Sequence, residues 1–202
     1  MQSTVEPKKT KKGKCETKVK LNTSAFRKFA LNNKLIKMIS PKAIDSMHCY
    51  LRQYLLKPII ADIIKYIKFK MSETSIKKSF RIVQCDKLQD IIQEYIRHDL
   101  SESIDIKGDT VVSKKIQEFA FHPLTFRKYI IHMTEEESHV TNIQWSSKCM
   151  DILQYAIENE LYIVMNTCAK LINDNAPVKR RANLKLTKRD VCFVFEARYE
   201  KR

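Results

Sequence analysis

Met150, Leu153, Ile157, Leu161, Val164, Cys168 and Leu171 recur at steps of three or four without a break. That spacing draws one apolar stripe down a single helix, expected from Ser146 to about Asn175. A helix of this length is held mainly by what covers its stripe, so other parts of the chain must pack on it. An earlier stripe, Ile44, Met47, Leu51, Leu55, Ile59, Ile63 and Ile67, marks a second long helix. Ser40 reads as its N-cap and Pro41 as its first residue, where a missing N–H does no harm. Pro58 falls inside it, and an interior proline costs about 3 kcal/mol, so the helix either kinks there or divides in two.

The surroundings of the two stripes match. "SAFRKFAL" at Ser24 and "LTFRKYII" at Leu124 begin short helices, the first with Phe26, Phe29, Ala30, Leu35, Ile36 and Met38, the second from Leu124 to Met133. "SPKAID" and "SSKCMD" open the long helices, and "IVQCDKL" and "LTKRDVC" open short helices expected over Gln84–His98 and Lys188–Arg198. From Phe26 to Phe126, Ser40 to Ser146 and Asp86 to Asp190 the offsets are 100, 106 and 104 residues. Landmarks that shift together indicate a duplicated short-long-short unit. The two long helices would then cross, each covering the other's apolar face, to give one intramolecular pseudo-dimer.

Four segments follow from this reading. Residues 1–23, with seven lysines in "EPKKTKKGKCETKVK", form a basic tail too polar to fold. Residues 24–98 and 124–202 are the two units. Residues 99–123 hold an acidic connector, "DLSESIDIKG", and an extra helix from Ser113 to Phe121 stopped by Pro123. "TEEESHVTN" reads as a polar loop, with Glu135, Glu136 and Glu137 solvated.

With 2 glycines and 5 prolines against 44% apolar and 30% charged residues, composition points to an all-α fold. The formal charge of +15 points to a polyanionic partner, nucleic acid or an acidic membrane surface. Cys15, Cys49, Cys85, Cys149, Cys168 and Cys192 lie far apart, without zinc spacing, and read as single buried thiols of a soluble protein in a reducing intracellular compartment. No apolar run approaches the roughly 18 residues of a membrane span. No phosphate loop is present, and His48, His98, His122, His132 and His139 lack metal spacing, so neither catalysis nor a cofactor or metal is expected.

Short helix, loop, long helix, basic loop and short helix, twice over behind a lysine-rich tail, resemble a histone-fold doublet. "LTFRKYIIHM", "IQWSSKCMDILQYAIENELYIVM" and "LKLTKRDV" resemble histone three over 124–202, and the extra helix takes the place of its additional N-terminal helix. "KMIS" followed by "LRQYLLKPIIADII" is similar to histone four, whereas "ISPKAI" is similar to histone two-B. The order, four-like then three-like, resembles the fused histones of giant DNA viruses. That resemblance implies non-specific packaging of duplex DNA into nucleosome-like particles in a viral factory or host nucleus, and in the virion. A partner doublet like histones two-B and two-A is implied as well. This chain departs from the family at Met38 and Gln144, where groove-entering arginines are expected, has a longer loop before the last helix with Asn183 near its usual arginine, and lacks histone four's glycine- and arginine-rich end. A histone-fold transcription-factor subunit and a helical adaptor are the rival readings.

Three groups of residues are DNA-binding candidates. Arg27, Lys28, Arg127 and Lys128 stand at the starts of first helices, where free N–H groups favour a phosphate. Lys37 lies in the first loop of the first unit. Lys77, Lys78 and Arg81, with Lys179, Arg180, Arg181, Lys185, Lys188 and Arg189, fill the loops before the third helices; six of the second set crowd into 179–189 and repel one another unless an anion is present. In a histone pair the first loop of one unit meets the second loop of the other at the DNA. The resemblance also implies self-association of the second unit through Leu171, Asp174, Asp190 and Phe193. Thr187 and Asp190 read as a capping box.

Overall fold

The computed structural model describes residues 20–73, 82–115, 118–138, 143–177 and 183–199. Helix α1 (Thr23–Asn32) starts where the Asn22 side chain accepts the Ser24 amide at 2.9 Å. Strand β1 (Ile36–Ile39) follows. Helix α2 (Pro41–Tyr50), a π turn (Leu51–Leu56) and α3 (Lys57–Glu73) then run on as one helix. Ser40 is the N-cap, its Oγ accepting the Ala43 amide at 3.2 Å. Pro58 explains the π turn. Proline offers no N–H, and its ring excludes the carbonyl four residues back. A wider turn just ahead, with the Lys57 N–H on the Arg52 carbonyl, lets the helix pass without dividing.

After α4 (Cys85–Tyr95) come a 3₁₀ turn (Leu100–Glu102) and a hairpin of β2 (Ile104–Lys107) and β3 (Thr110–Ser113). Gly108, at φ +55°, supplies the left-handed residue of its two-residue turn. Helices α5 (Pro123–Glu137) and α6 (Ser147–Asn175), strand β4 (Leu184–Leu186) and α7 (Lys188–Tyr199) complete the chain.

Five expectations need correction. The fold is mostly helical but carries four short strands among the described residues. Ile36 and Met38 leave the first helix for β1. Packing begins before Ser24, since Leu21 is 2% exposed within the core. The extra helix is absent: residues 113–115 and 118–121 are non-helical, and the Ala120 and Phe121 amides donate instead to the Glu158 carboxylate at 2.7 and 3.0 Å. Finally, α5 continues through Glu137, because Glu136 pairs with Arg52 at 2.8 Å and Glu137 with Lys57 at 3.1 Å. The three glutamates are not simply a solvated loop.

One continuous core takes in both long stripes. Helix α6 packs against α1 and α4 of the first half as well as α7 and the hairpin, while α5 packs on α3 and α7 on α2. Cover is thus exchanged between the halves chiefly through the shorter helices, rather than by one long helix covering the other. A ladder of rings, Tyr54, Tyr50 and Phe195, stacks across α7 and the long helix at centroid separations of 5.3 and 5.2 Å.

Leu161, fully buried, is the test of this exchange. Leu161→Asp strands a charge in the shared core and is expected to cost several kcal/mol. Trp145 fluorescence and helical circular dichroism should then be lost together; a surviving cooperative transition of about half the helical signal would show the halves to be independent.

Candidate nucleic-acid interface

Two loop junctions bring the halves together edge to edge. In the first, β1 and β4 run parallel, with Ile36 opposite Leu184, Met38 opposite Lys185 and Ile39 opposite Leu186. The Ser40 amide donates to the Leu186 carbonyl at 3.0 Å, so α2 and α7 start side by side. Apolar Ile36, Leu184 and Leu186 turn inward, leaving Lys37, Met38 and Lys185 exposed. Lys188 and Arg189, also exposed, open α7. Lys42, which sequence reasoning passed over, shares an open groove with Lys188; its place in the first turn of α2 was the available signal.

In the second junction Ile82 bridges to Gln144, and the Val83 amide donates to the Gln144 carbonyl at 3.0 Å. Here α4 and α6 start side by side, Ser146 Oγ capping the Cys149 amide at 3.1 Å. The junctions place amide-bearing helix starts beside exposed loop edges, an arrangement suited to phosphate. Met38 and Gln144 sit in them, one per junction.

The remaining candidates divide. Arg27, Lys28 and Lys128 are exposed on α1 and α5. Arg127 is half-buried and donates through Nη2 to the Trp145 carbonyl at 3.1 Å, so part of its role is to hold the second junction. Lys77, Lys78, Arg81, Lys179, Arg180 and Arg181 lie outside the described residues, as does the tail to residue 19. Leu171, Asp190 and Phe193 line one open groove of about 840 Å³, with Phe193 58% exposed; Asp174 is exposed on α6. The cap at α7 differs from a reciprocal box: Thr187 donates to Asp190 Oδ2 from both its amide (2.9 Å) and its hydroxyl (2.6 Å).

The crystal structure of the histone from Methanopyrus kandleri is similar to this chain, with a TM-score of 0.55 over 90% of this chain and 97% of that one, at 12% sequence identity. At that identity the likeness is one of fold: the chain folds as a histone does. No protein-family model matches it, and no curated protein does.

A cluster of perturbed ionisable groups lies around Glu160. This fully buried carboxylate accepts from His98 Nδ1 at 2.7 Å, Arg198 Nε at 2.6 Å and the Tyr199 hydroxyl. Among the described residues no group of three or more His, Cys, Asp or Glu could hold a metal. With three donors on one carboxylate, the cluster acts as a brace between the end of α4, α6 and α7. Burial alone would push Glu160 up; the His98 and Arg198 hydrogen bonds, the Arg198 charge and Tyr199 outweigh it and hold the carboxyl at about 2. A depressed folded value means stability that is present above the unfolded value and lost as pH falls through the folded one. For Glu160 this is about 3 kcal/mol, lost between about pH 5 and pH 2. Denaturant titrations of wild type and Glu160→Gln should therefore converge as pH falls through that window; a constant gap would exclude the brace.

Proposed function

We propose that the chain is a DNA-packaging protein with no catalytic role, built as two histone folds in one polypeptide that pair with each other. The observation that carries this is the pair of parallel junctions, each joining the first loop of one half to the second loop of the other. The Methanopyrus kandleri histone supports the doublet reading, because one chain of it matches 90% of this one and so extends over both halves. Duplex DNA would cross both junctions and the α1 and α5 starts, its phosphates neutralised by Arg27, Lys28, Lys37, Lys128, Lys185, Lys188 and Arg189 together with the loop cations outside the described residues. Met38 and Gln144 offer no guanidinium to the minor groove. Shape and charge, rather than base contacts, would govern binding.

The finer reading is a giant-virus histone doublet, four-like then three-like. It works with a doublet like histones two-B and two-A to wrap DNA, in a reducing viral factory or host nucleus and in the virion. Its log affinity for duplex DNA should fall linearly and steeply with log salt and depend little on sequence. Lys37→Ala with Lys185→Ala should flatten the slope by roughly 2 with helical content unchanged. Nuclease digestion of reconstituted DNA should leave discrete protected lengths; a smear favours a DNA-binding subunit that does not wrap.

Self-association would use Leu171 and the exposed Phe193 as its apolar centre, a second copy meeting the same surface about a two-fold axis. Asp190 is already engaged by Thr187, which leaves Asp174 to face its counterpart and keeps the contact weak without DNA. Leu171→Glu with Phe193→Glu should halve the mass of particles formed on DNA. Full-sized particles from that variant would place the two-fold contact elsewhere.

A further inference from the structure

Cys85 is the first residue of α4, and Cys149 lies in the first turn of α6. They are 64 residues apart in sequence, yet their sulfurs are 2.8 Å apart in the second junction. Three contacts bring them together. Val83 pairs with Gln144 across the junction; Ser146 caps the Cys149 amide and lies 4.0 Å from Cys85 Sγ; the Cys149 thiol donates to the Val83 carbonyl at 3.2 Å. The two thiols belong to different halves and to helices whose starts are packed side by side. Cys149 is fully buried and Cys85 only partly, so a reagent reaches Cys85 first.

We propose that Cys85 and Cys149 form a reversible disulfide that cross-links the two halves at this junction, made by exchange with a small-molecule disulfide. The Cys85 thiolate attacks one sulfur of the reagent, forming a mixed disulfide and releasing one thiolate. The Cys149 thiolate then attacks the Cys85 sulfur and expels the second. The two protons end on the two released thiols, the protein loses two electrons, and the reagent gains them. A disulfide needs its sulfurs about 2.05 Å apart, so closure asks for less than about 1 Å of movement. Burial, with Cys85 adjacent, pushes the Cys149 thiol up to about 12, so little of it is thiolate near neutral pH and resolution is the slow step. Once closed, the bond ties α4 to α6 and holds the Ile82–Gln144 junction shut. None of this rests on DNA binding.

The test uses the full chain, reduced and then exposed to oxidised glutathione, quenched by alkylation and read by intact mass and a non-reducing peptide map. The expected product has lost two hydrogens at this pair, carries no adduct on Cys85 or Cys149, and yields a Cys85–Cys149 peptide. Its melting midpoint should exceed that of the reduced protein by about 5 °C. Cys149→Ser should retain a glutathione adduct on Cys85, and Cys85→Ser should give neither cross-link nor adduct at Cys149. A wild-type adduct on Cys85 that never resolves, a bond from Cys85 to another cysteine, or no reaction while the other exposed thiols react would each overturn the proposal.

Discussion

The middle of α6 is enclosed on every side, and the rest of the molecule is arranged to permit it. From Ile152 to Leu161 every residue but Tyr155 is buried, and Tyr155 is itself stacked on Phe119 at 4.1 Å. Four of these buried residues, Gln154, Glu158, Asn159 and Glu160, are polar, and burying them is unfavourable unless each finds a partner. The connector between the halves supplies most of the partners. Phe121 accepts from Gln154 at 2.8 Å, the amides of Ala120 and Phe121 serve Glu158, and Ser103 and Ser113 bond Asn159 at 3.4 and 3.3 Å. Residues 99–115 and 118–122 are therefore a cover fastened to α6, and β2 and β3 pack directly on it.

That fastening explains which parts of the fold were legible. The stripe of α6, its Ser146 cap and its end at Asn175 could be read because they follow from local periodicity and capping chemistry. The polar side of the same helix was misleading. "QYAIENEL" has the composition of a solvated face, and nothing local shows that a hairpin 40 to 50 residues upstream will close over it. The expected helix at 113–121 failed for the same reason, since its amides were claimed by a carboxylate on another element. Gly108-Asp109 between "IDIK" and "TVVS" was a readable hairpin signal that the acidic composition obscured. Pro58 could be seen to disturb its helix, though a π turn was not among the outcomes anticipated. Of the candidate site, the loops were legible as loops but their pairing partners were not. Arg127's role at Trp145, and the meeting of Cys85 with Cys149, depend on contacts that no spacing reveals.

The charge follows a similar logic. A net charge of +15 opposes compaction, and the ion pairs seen do little to relieve it. Arg52 with Glu136 and Lys57 with Glu137 spend acidic groups of α5 on the opposite half, joining α5 to the long helix, whereas Lys37, Lys185, Lys188 and Arg189 stand exposed around the first junction. Carboxylates are drawn into the joints between halves, and cations remain on the loop edges. In the function proposed, a duplex laid across those edges would supply the missing countercharge.

The proposed pairing of two histone folds within one chain raises the question of what would favour it over pairing with a second copy. A flexible linker would favour the internal pairing only through effective concentration. Here the linker takes part in the packing. Exchanging halves between chains requires the connector to bridge two molecules while still covering α6, or to release Gln154, Glu158 and Asn159 and leave buried polar groups without partners. His98 adds to this, since it follows α4 and reaches the same carboxylate that Arg198 and Tyr199 hold from α7. One buried residue of α6 thus ties the end of the first half to the end of the second. In the proposed pairing the polar residues in the core would favour the internal arrangement, a use of buried polarity that a purely apolar stripe would not provide.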